Sequence, residues 1–185
     1  MVINEKALVR QMKEAYKTYG YTVAVTNGRM MLTNGFWLAN IDADNVPSEL
    51  LGMLAQHIRD VPKEGQAYKV IKDKDGAYVQ HRILEEAIAP LRRMVTEKTE
   101  GGYLKMMRRT NLTLSGMQLW QAPESSVMYM IDPRYAALFD NHNEVVRLGG
   151  GIYAEGEISE LWVLRFADNE LLDKISHLEQ IPWVK

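Results

Sequence analysis

Lys6, Arg10, Lys13 and Lys17 follow one another at spacings of four, three and four residues. In an α-helix that spacing puts all four on one stripe. A row of ammonium and guanidinium groups is the chemistry that holds phosphate oxygens, without reading sequence and weakening as salt rises. Leu8, Met12, Ala15 and Tyr19 repeat the spacing two residues later, roughly 200° around the axis at ~100° per residue. The segment therefore reads as a helix with opposed basic and apolar faces. The plainer reading is a solvated helix surface, and Glu5 and Glu14 beside the stripe dilute it.

A second basic group comprises Arg92, Arg93, Lys98, Lys105, Arg108 and Arg109, with Tyr103 among them. Cations interleaved with an aromatic ring can grip a backbone and stack a base. The same residues also suit a mixed helix face followed by edge-strand guards, and Glu97 and Glu100 favour that version.

Catalytic and metal-binding patterns are absent from the linear sequence. His57, His81, His142 and His177 share no ligand spacing, so a metal would need tertiary convergence. Asp42 with Asp44, and Asp73 with Asp75, read as cap and turn residues rather than Mg²⁺ ligands. Gly149, Gly150 and Gly151 lack the Gly-Lys-Ser/Thr ending of a phosphate loop and read as a bend between strands. Ser115, Ser125 and Ser126 have no nucleophile-elbow setting. There is no cysteine, which removes thiolate chemistry and fits a reducing compartment. The expectation is a non-enzymatic protein with no cofactor and no metal. Distant Asp, Glu, His and Tyr side chains could still converge in a cleft without leaving a linear trace.

The elements that carry the cations are legible in outline. Asn4 can cap the first helix and Gly20 can stop it. Tyr21–Thr26, Arg29–Thr33 and Phe36–Ile41 are strand-prone, and Asn27-Gly28 and Asn34-Gly35 between them signal type I′ hairpins. Asn45–Asp60 reads as a helix capped by Asn45 or Ser48, with Leu50, Leu51, Leu54 and Ile58 inward. A hairpin over 67–72 and 77–81 and a helix over 82–98 follow, with Ile83, Ala87, Leu91 and Met94 on one face and Pro90 breaking it. Strands are predicted at Leu104–Arg109, Asn111–Leu114, Met117–Gln121 and Ser126–Ile131. Asp132-Pro133 then starts a helix through Phe139, and strands at Glu144–Leu148, Ile152–Glu157 and Leu161–Phe166 precede a helix over 168–178. Met30-Met31 and Met106-Met107 should each leave one soft side chain outward, suited to an adaptable protein surface.

The 185 residues are 46% hydrophobic and 25% charged, the composition of one ordinary globular domain. No apolar run approaches the ~20 residues of a membrane span, and the amphipathic start does not resemble a signal peptide. The expected setting is the cytoplasm, with no membrane partner. Net charge is −2, but residues 59–109 carry twelve Lys and Arg against eight acids, and residues 110–185 five against eleven. A nearly neutral chain can still present one basic face.

Residues 3–41 read as helix and three strands, and residues 127–166 as strand, helix and three strands. That layout resembles one domain of the DNA polymerase sliding clamp. The likeness rests on Asn4–Lys13 as the opening helix, Arg29–Thr33 and Phe36–Asn40 as paired strands, Met128–Tyr135 as a strand-into-helix step, and faintly on the tail Ile181–Lys185. The resemblance implies an α+β fold with a mainly antiparallel sheet and two helix-plus-meander halves. The single domain 1–185 would divide into residues 1–44, a helical insertion at 45–102, and a β-rich half at 103–185. The insertion, the helix over 168–178 and a second half offering Arg134 beside Asp140 depart from that family. The implied function is a DNA-associated, clamp-like module contacting the DNA backbone through Lys6, Arg10, Lys13, Lys17, Arg92, Arg93, Arg108 and Arg109. Its apolar sheet surface would hold a partner peptide or subunit. Partners would be DNA, a protein of DNA replication or defence, and further copies, since one such domain cannot encircle a duplex. The alternative is a small protein-binding inhibitor, of the kind phages direct at nucleic-acid enzymes, acting through an acidic or Met-rich surface.

Overall fold

In the computed structural model, which describes residues 1–100, 105–123 and 127–166, Asn4 starts the chain's first regular element. Its side chain accepts the Ala7 N–H at 3.1 Å and caps helix α1, Glu5–Lys17. The helix stops at Gly20, whose φ of +74° suits a residue without Cβ. The predicted meander follows as β1 (Tyr21–Thr26), β2 (Arg29–Thr33) and β3 (Trp37–Asp42). Asn27 and Gly28 both take positive φ, as a type I′ turn requires. The second turn differs from the expected I′ form. There only Gly35 is left-handed, and Asn34 Oδ1 instead accepts the N–H groups of Phe36 and Trp37 at 3.0 and 3.3 Å.

Helix α2 (Ser48–Ile58) begins at Pro47 with no side-chain cap, so neither Asn45 nor Ser48 serves. The hairpin β4 (Ala67–Asp73) and β5 (Gly76–His81) comes next, then α3 (Leu84–Ala87) and α4 (Ala89–Glu100), broken beside Pro90 as expected. The next two predicted strands are one bulged strand, β6 (Met106–Leu114), turning into β7 (Met117–Gln121) through Ser115-Gly116, both at positive φ. Then come β8 (Met128–Ile131), the short α5 (Pro133–Ala136) capped by Asp132, β9 (Glu144–Leu148), β10 (Gly151–Glu155) and β11 (Ser159–Leu164). The expected helix over 168–178, the tail 181–185, Tyr103, Ser125, Ser126 and His177 lie outside the described residues.

All eleven strands join one antiparallel sheet in the order β5-β4-β1-β2-β3-β11-β10-β9-β6-β7-β8. The fold is α+β. The two helix-plus-meander units meet where β3 pairs with β11, and each meander runs outward from that seam. Asn4 N–H donates to the Leu138 carbonyl at 2.8 Å, and Ile3 bridges Phe139. The chain ahead of α1 is thereby tied to the chain that follows α5. At the far end, Phe166 N–H donates to the Met130 carbonyl at 2.7 Å, so the second half curls back on itself.

Helices cover both faces of the sheet. On one, Leu8, Met12, Leu50, Leu54 and Ala136 pack on Val23, Val25, Leu32, Ile152 and Val163. On the other, Ala87, Ile88 and Met94 pack on Ala24, Met31, Leu38, Tyr153 and Trp162. This arrangement overturns three expectations. Met30 and Met31 are both buried, because each sheet face has its own helices; only the Met106-Met107 pair leaves one residue outward. The central apolar sheet surface is filled from within the chain and is not free for a peptide. Tyr19 and Ile83 lie beyond their helices and are exposed, at 70% and 64%.

A Cβ on Gly20 would stand 2.4 Å from the Val70 carbonyl oxygen, in a backbone conformation that already disfavours L side chains. Gly20→Ala is expected to cost about 2 kcal/mol, seen as a fall in Tm of roughly 4–8 °C by differential scanning calorimetry.

Candidate nucleic-acid interface

Helix α1 presses Leu8, Met12 and Ala15 fully into the core, with Ala7, Val9 and Gln11 beside them. That burial fixes the helix's rotation and leaves Lys6, Arg10, Lys13 and Lys17 on the solvent side, all exposed. At 1.5 Å per residue the stripe runs about 16 Å, comparable to the axial rise of about five phosphates along one strand. With Val9, Glu14 and Glu49 these four residues line an open groove of about 630 Å³.

Glu14 and Glu49, the carboxylates that line this groove, are held by particular partners. Glu49 sits 3.0 Å from Lys13 Nζ, and both side chains are more than half exposed. A pair so open to water is worth less than about 1 kcal/mol and gives way readily to a polyanion. Glu14 binds Arg134 Nη1 at 2.6 Å, which draws its charge toward α5. Arg134 is itself gripped by Asp132, Nη2 to Oδ2 at 2.7 Å. The hydrogen bond to Asp132 is the main cause that raises the guanidinium's pKa above its ordinary value. Burial pushes the Asp132 carboxyl up, but the hydrogen bonds from the Arg134 side chain and backbone outweigh it, so its pKa is lowered. Among the described residues, Lys6, Arg10 and Lys17 carry no carboxylate partner.

The second basic group sits differently. Arg92 and Arg93 lie on α4, on the opposite side of the sheet from α1, and are paired with Glu85 and Glu97. Arg93 also stacks over Trp162 at 5.7 Å. Lys98 Nζ lies 2.7 Å from Glu155 and 3.4 Å from Glu160. Arg108 on β6 pairs with Glu144 at 2.8 Å. Arg109 stands opposite Trp120 in the β6–β7 ladder, half-buried. Lys105 is exposed. Arg92, Arg93, Lys98 and Arg108 are thus fastened to the protein's own acids.

Two polar constellations escape sequence reasoning. Tyr16 stacks on His57 with ring centroids 4.0 Å apart, and the Tyr21 hydroxyl lies 2.9 Å from His57 Nδ1. Burial raises the Tyr21 phenol, so it stays protonated beside the ring. Burial likewise lowers the His57 pKa. On the other sheet face, Glu160 accepts from Tyr153 Oη and Asn40 Nδ2, each at 2.7 Å, with Lys98 and Arg29 close by. Burial alone would raise Glu160; these donors and cations outweigh it, and the pKa is lowered. The only sequence signal for this cluster is a polar residue on alternate positions of otherwise apolar strands. It fastens the end of α4 to the sheet. Asp42 caps a turn by accepting the Asp44 N–H, and Asp73 accepts the Lys74 N–H. Among the described residues no group of three His, Asp or Glu side chains is placed to hold a metal, and no helix is long and apolar enough to cross a membrane.

No family model and no curated protein matches this chain. The functional reading therefore stands on the geometry.

His57 has a folded pKa below its unfolded value of 6.5. Above pH 6.5 both states are neutral and its full contribution is present. As pH falls below 6.5 the unfolded state takes up the proton first, so stability drops until the folded pKa is passed. Chemical denaturation across this window is expected to show that decline, and His57→Gln to flatten it. The carboxylates of Glu160 and Asp132 respond only nearer pH 4. Glu160→Gln leaves Lys98 and Arg29 without their half-buried partner and is expected to cost about 2 kcal/mol in the same assay.

Proposed function

We propose that this protein is a non-enzymatic, nucleic-acid-associated module that holds a phosphate backbone in the α1 groove. The observation that carries the reading is the alignment of three exposed cations, Lys6, Arg10 and Lys17, on one face of α1, free of carboxylate partners among the described residues. Self-satisfied surface charge contributes little to a ligand, whereas unpaired cations aligned on a rigid helix release condensed counterions on binding. The two units meeting at β3 and β11, with α1 and α5 side by side on one face, support the likeness to a clamp domain. One such unit offers one face, so encircling a duplex would require further copies, and a replication or defence protein is the natural context.

The inhibitor reading has weaker support. Of the acids in the C-terminal third, Asp132, Glu144, Glu155 and Glu160 are paired with cations, and Met30 and Met31 are buried.

Binding of a labelled DNA strand or duplex should weaken with salt, with a log–log slope between about −2.8 (single strand) and −3.6 (duplex) for four contacts. Arg10→Gln with Lys17→Gln should lower the slope's magnitude by about 2. Arg92→Gln, on α4 across the sheet, should leave it unchanged. No binding at low salt would end the proposal.

A further inference from the structure

The basic stripe does not end in plain solvent. Two residues beyond Lys17 stands Tyr19, 70% exposed, and against it Phe36, 47% exposed. Their ring centroids are 6.3 Å apart, edge to face. Phe36 in turn stacks on Tyr135, 5.9 Å away and within 13° of parallel. The three rings come from three separate segments: the stretch just after α1, the β2–β3 turn and α5. The Arg134 guanidinium lies over the Tyr135 ring at 5.6 Å, and Asn34, two residues before Phe36, lies close to the Tyr135 hydroxyl. Arg134 also grips Glu14, which lines the basic groove. Glu14 and Arg134 thus link the groove to the aromatic cluster.

Scattered exposed aromatics need no explanation, but three touching rings at the end of an unpaired cationic stripe do. The combination is what an unpaired nucleic-acid strand requires: cations along the backbone and flat rings for its bases. Bases inside a duplex are stacked on one another and cannot reach these rings. We infer that Tyr19, Phe36 and Tyr135 form a base-stacking platform that continues the α1 groove, and that the ligand is a single-stranded nucleic acid. This rests on the backbone reading above and narrows its ligand.

The test compares three labelled probes by fluorescence anisotropy at low salt: a thymidine strand of about 12 nucleotides, an abasic strand of equal length, and the matching duplex. The thymidine strand should bind tightest. Tyr19→Ala and Phe36→Ala should each weaken it roughly 5- to 150-fold and leave the abasic strand unchanged. Tyr19→Phe should retain binding, since the ring face is kept. Circular dichroism checks that each variant is folded, and Tyr19, the more exposed residue, keeps the test open if Phe36→Ala is not. Equal affinity for thymidine and abasic strands overturns the platform. If that abasic binding is lost in Arg10→Gln with Lys17→Gln, the backbone reading survives alone; if no probe binds at all, both fall. A self-associating protein that dissociates in Tyr19→Ala, with thymidine binding unchanged, would assign the rings to a second copy and also overturn the inference.

Discussion

The pairing of β3 with β11 brings together residues that are remote in sequence; Asn40 and Glu160, opposite each other at this seam, are 120 positions apart. Each half of the chain holds a three-stranded meander with apolar residues on both faces, more than its own strands can cover. Joined edge to edge, the two meanders form the middle of one wide sheet. Strand alternation then sends Val23, Val25 and Leu32 to one face and Ala24, Met31 and Leu38 to the other. Both sets need cover, and the chain supplies it with α1, α2 and α5 on one side and α3 and α4 on the other. The seam carries its own polar fastening on the α4 side, where Glu160 collects Asn40, Tyr153, Lys98 and Arg29. So wide a set of non-local contacts implies slow folding relative to a helical protein of the same size.

The same architecture sorts the cations. Arg92, Arg93 and Lys98 on α4 and Arg108 on β6 stand within reach of acids on α3, α4, β9, β10 and β11, and pair with them. Helix α1 lies on the other face, where the nearest acids are few. Of these, Glu14 is drawn off by Arg134 and Glu49 is shared loosely with Lys13. Local charge balance is therefore uneven in a protein whose net charge is small. The unevenness comes from which elements neighbour which, and composition alone does not contain it.

The opening helix and meander were legible because their signals are local. Asn4 meets its own helix three residues on, Asn27-Gly28 sets its own turn, and the apolar period of α1 needs only the existence of some core. The positions that went wrong are those whose fate depends on a distant partner. Tyr19 fits the helical period, yet the Gly20 stop ends the helix before it. Met30 and Met31 look like one inward and one outward residue until a second helical layer covers the other face. Arg92, Arg93 and Arg108 look like the α1 cations in type, and differ only in the carboxylates that long-range pairing sets beside them. The aromatic cluster was invisible for the same reason: the β1–β2–β3 meander brings Tyr19 to Phe36, and long-range contacts between the two halves bring Tyr135 to both.

What this sequence determined by itself was the existence of its helices and strands, the basic face of α1, the cysteine-free and nearly neutral composition, and the lack of a linear catalytic motif. These follow from periodicity, backbone preference and side-chain type, which act within a few residues. Tertiary structure alone decided which charges are left unpaired, which apolar side chains stay in water and which rings touch. Those outcomes depend on distances between remote segments, and an electrostatic or packing interaction acts only once the chain has closed that distance.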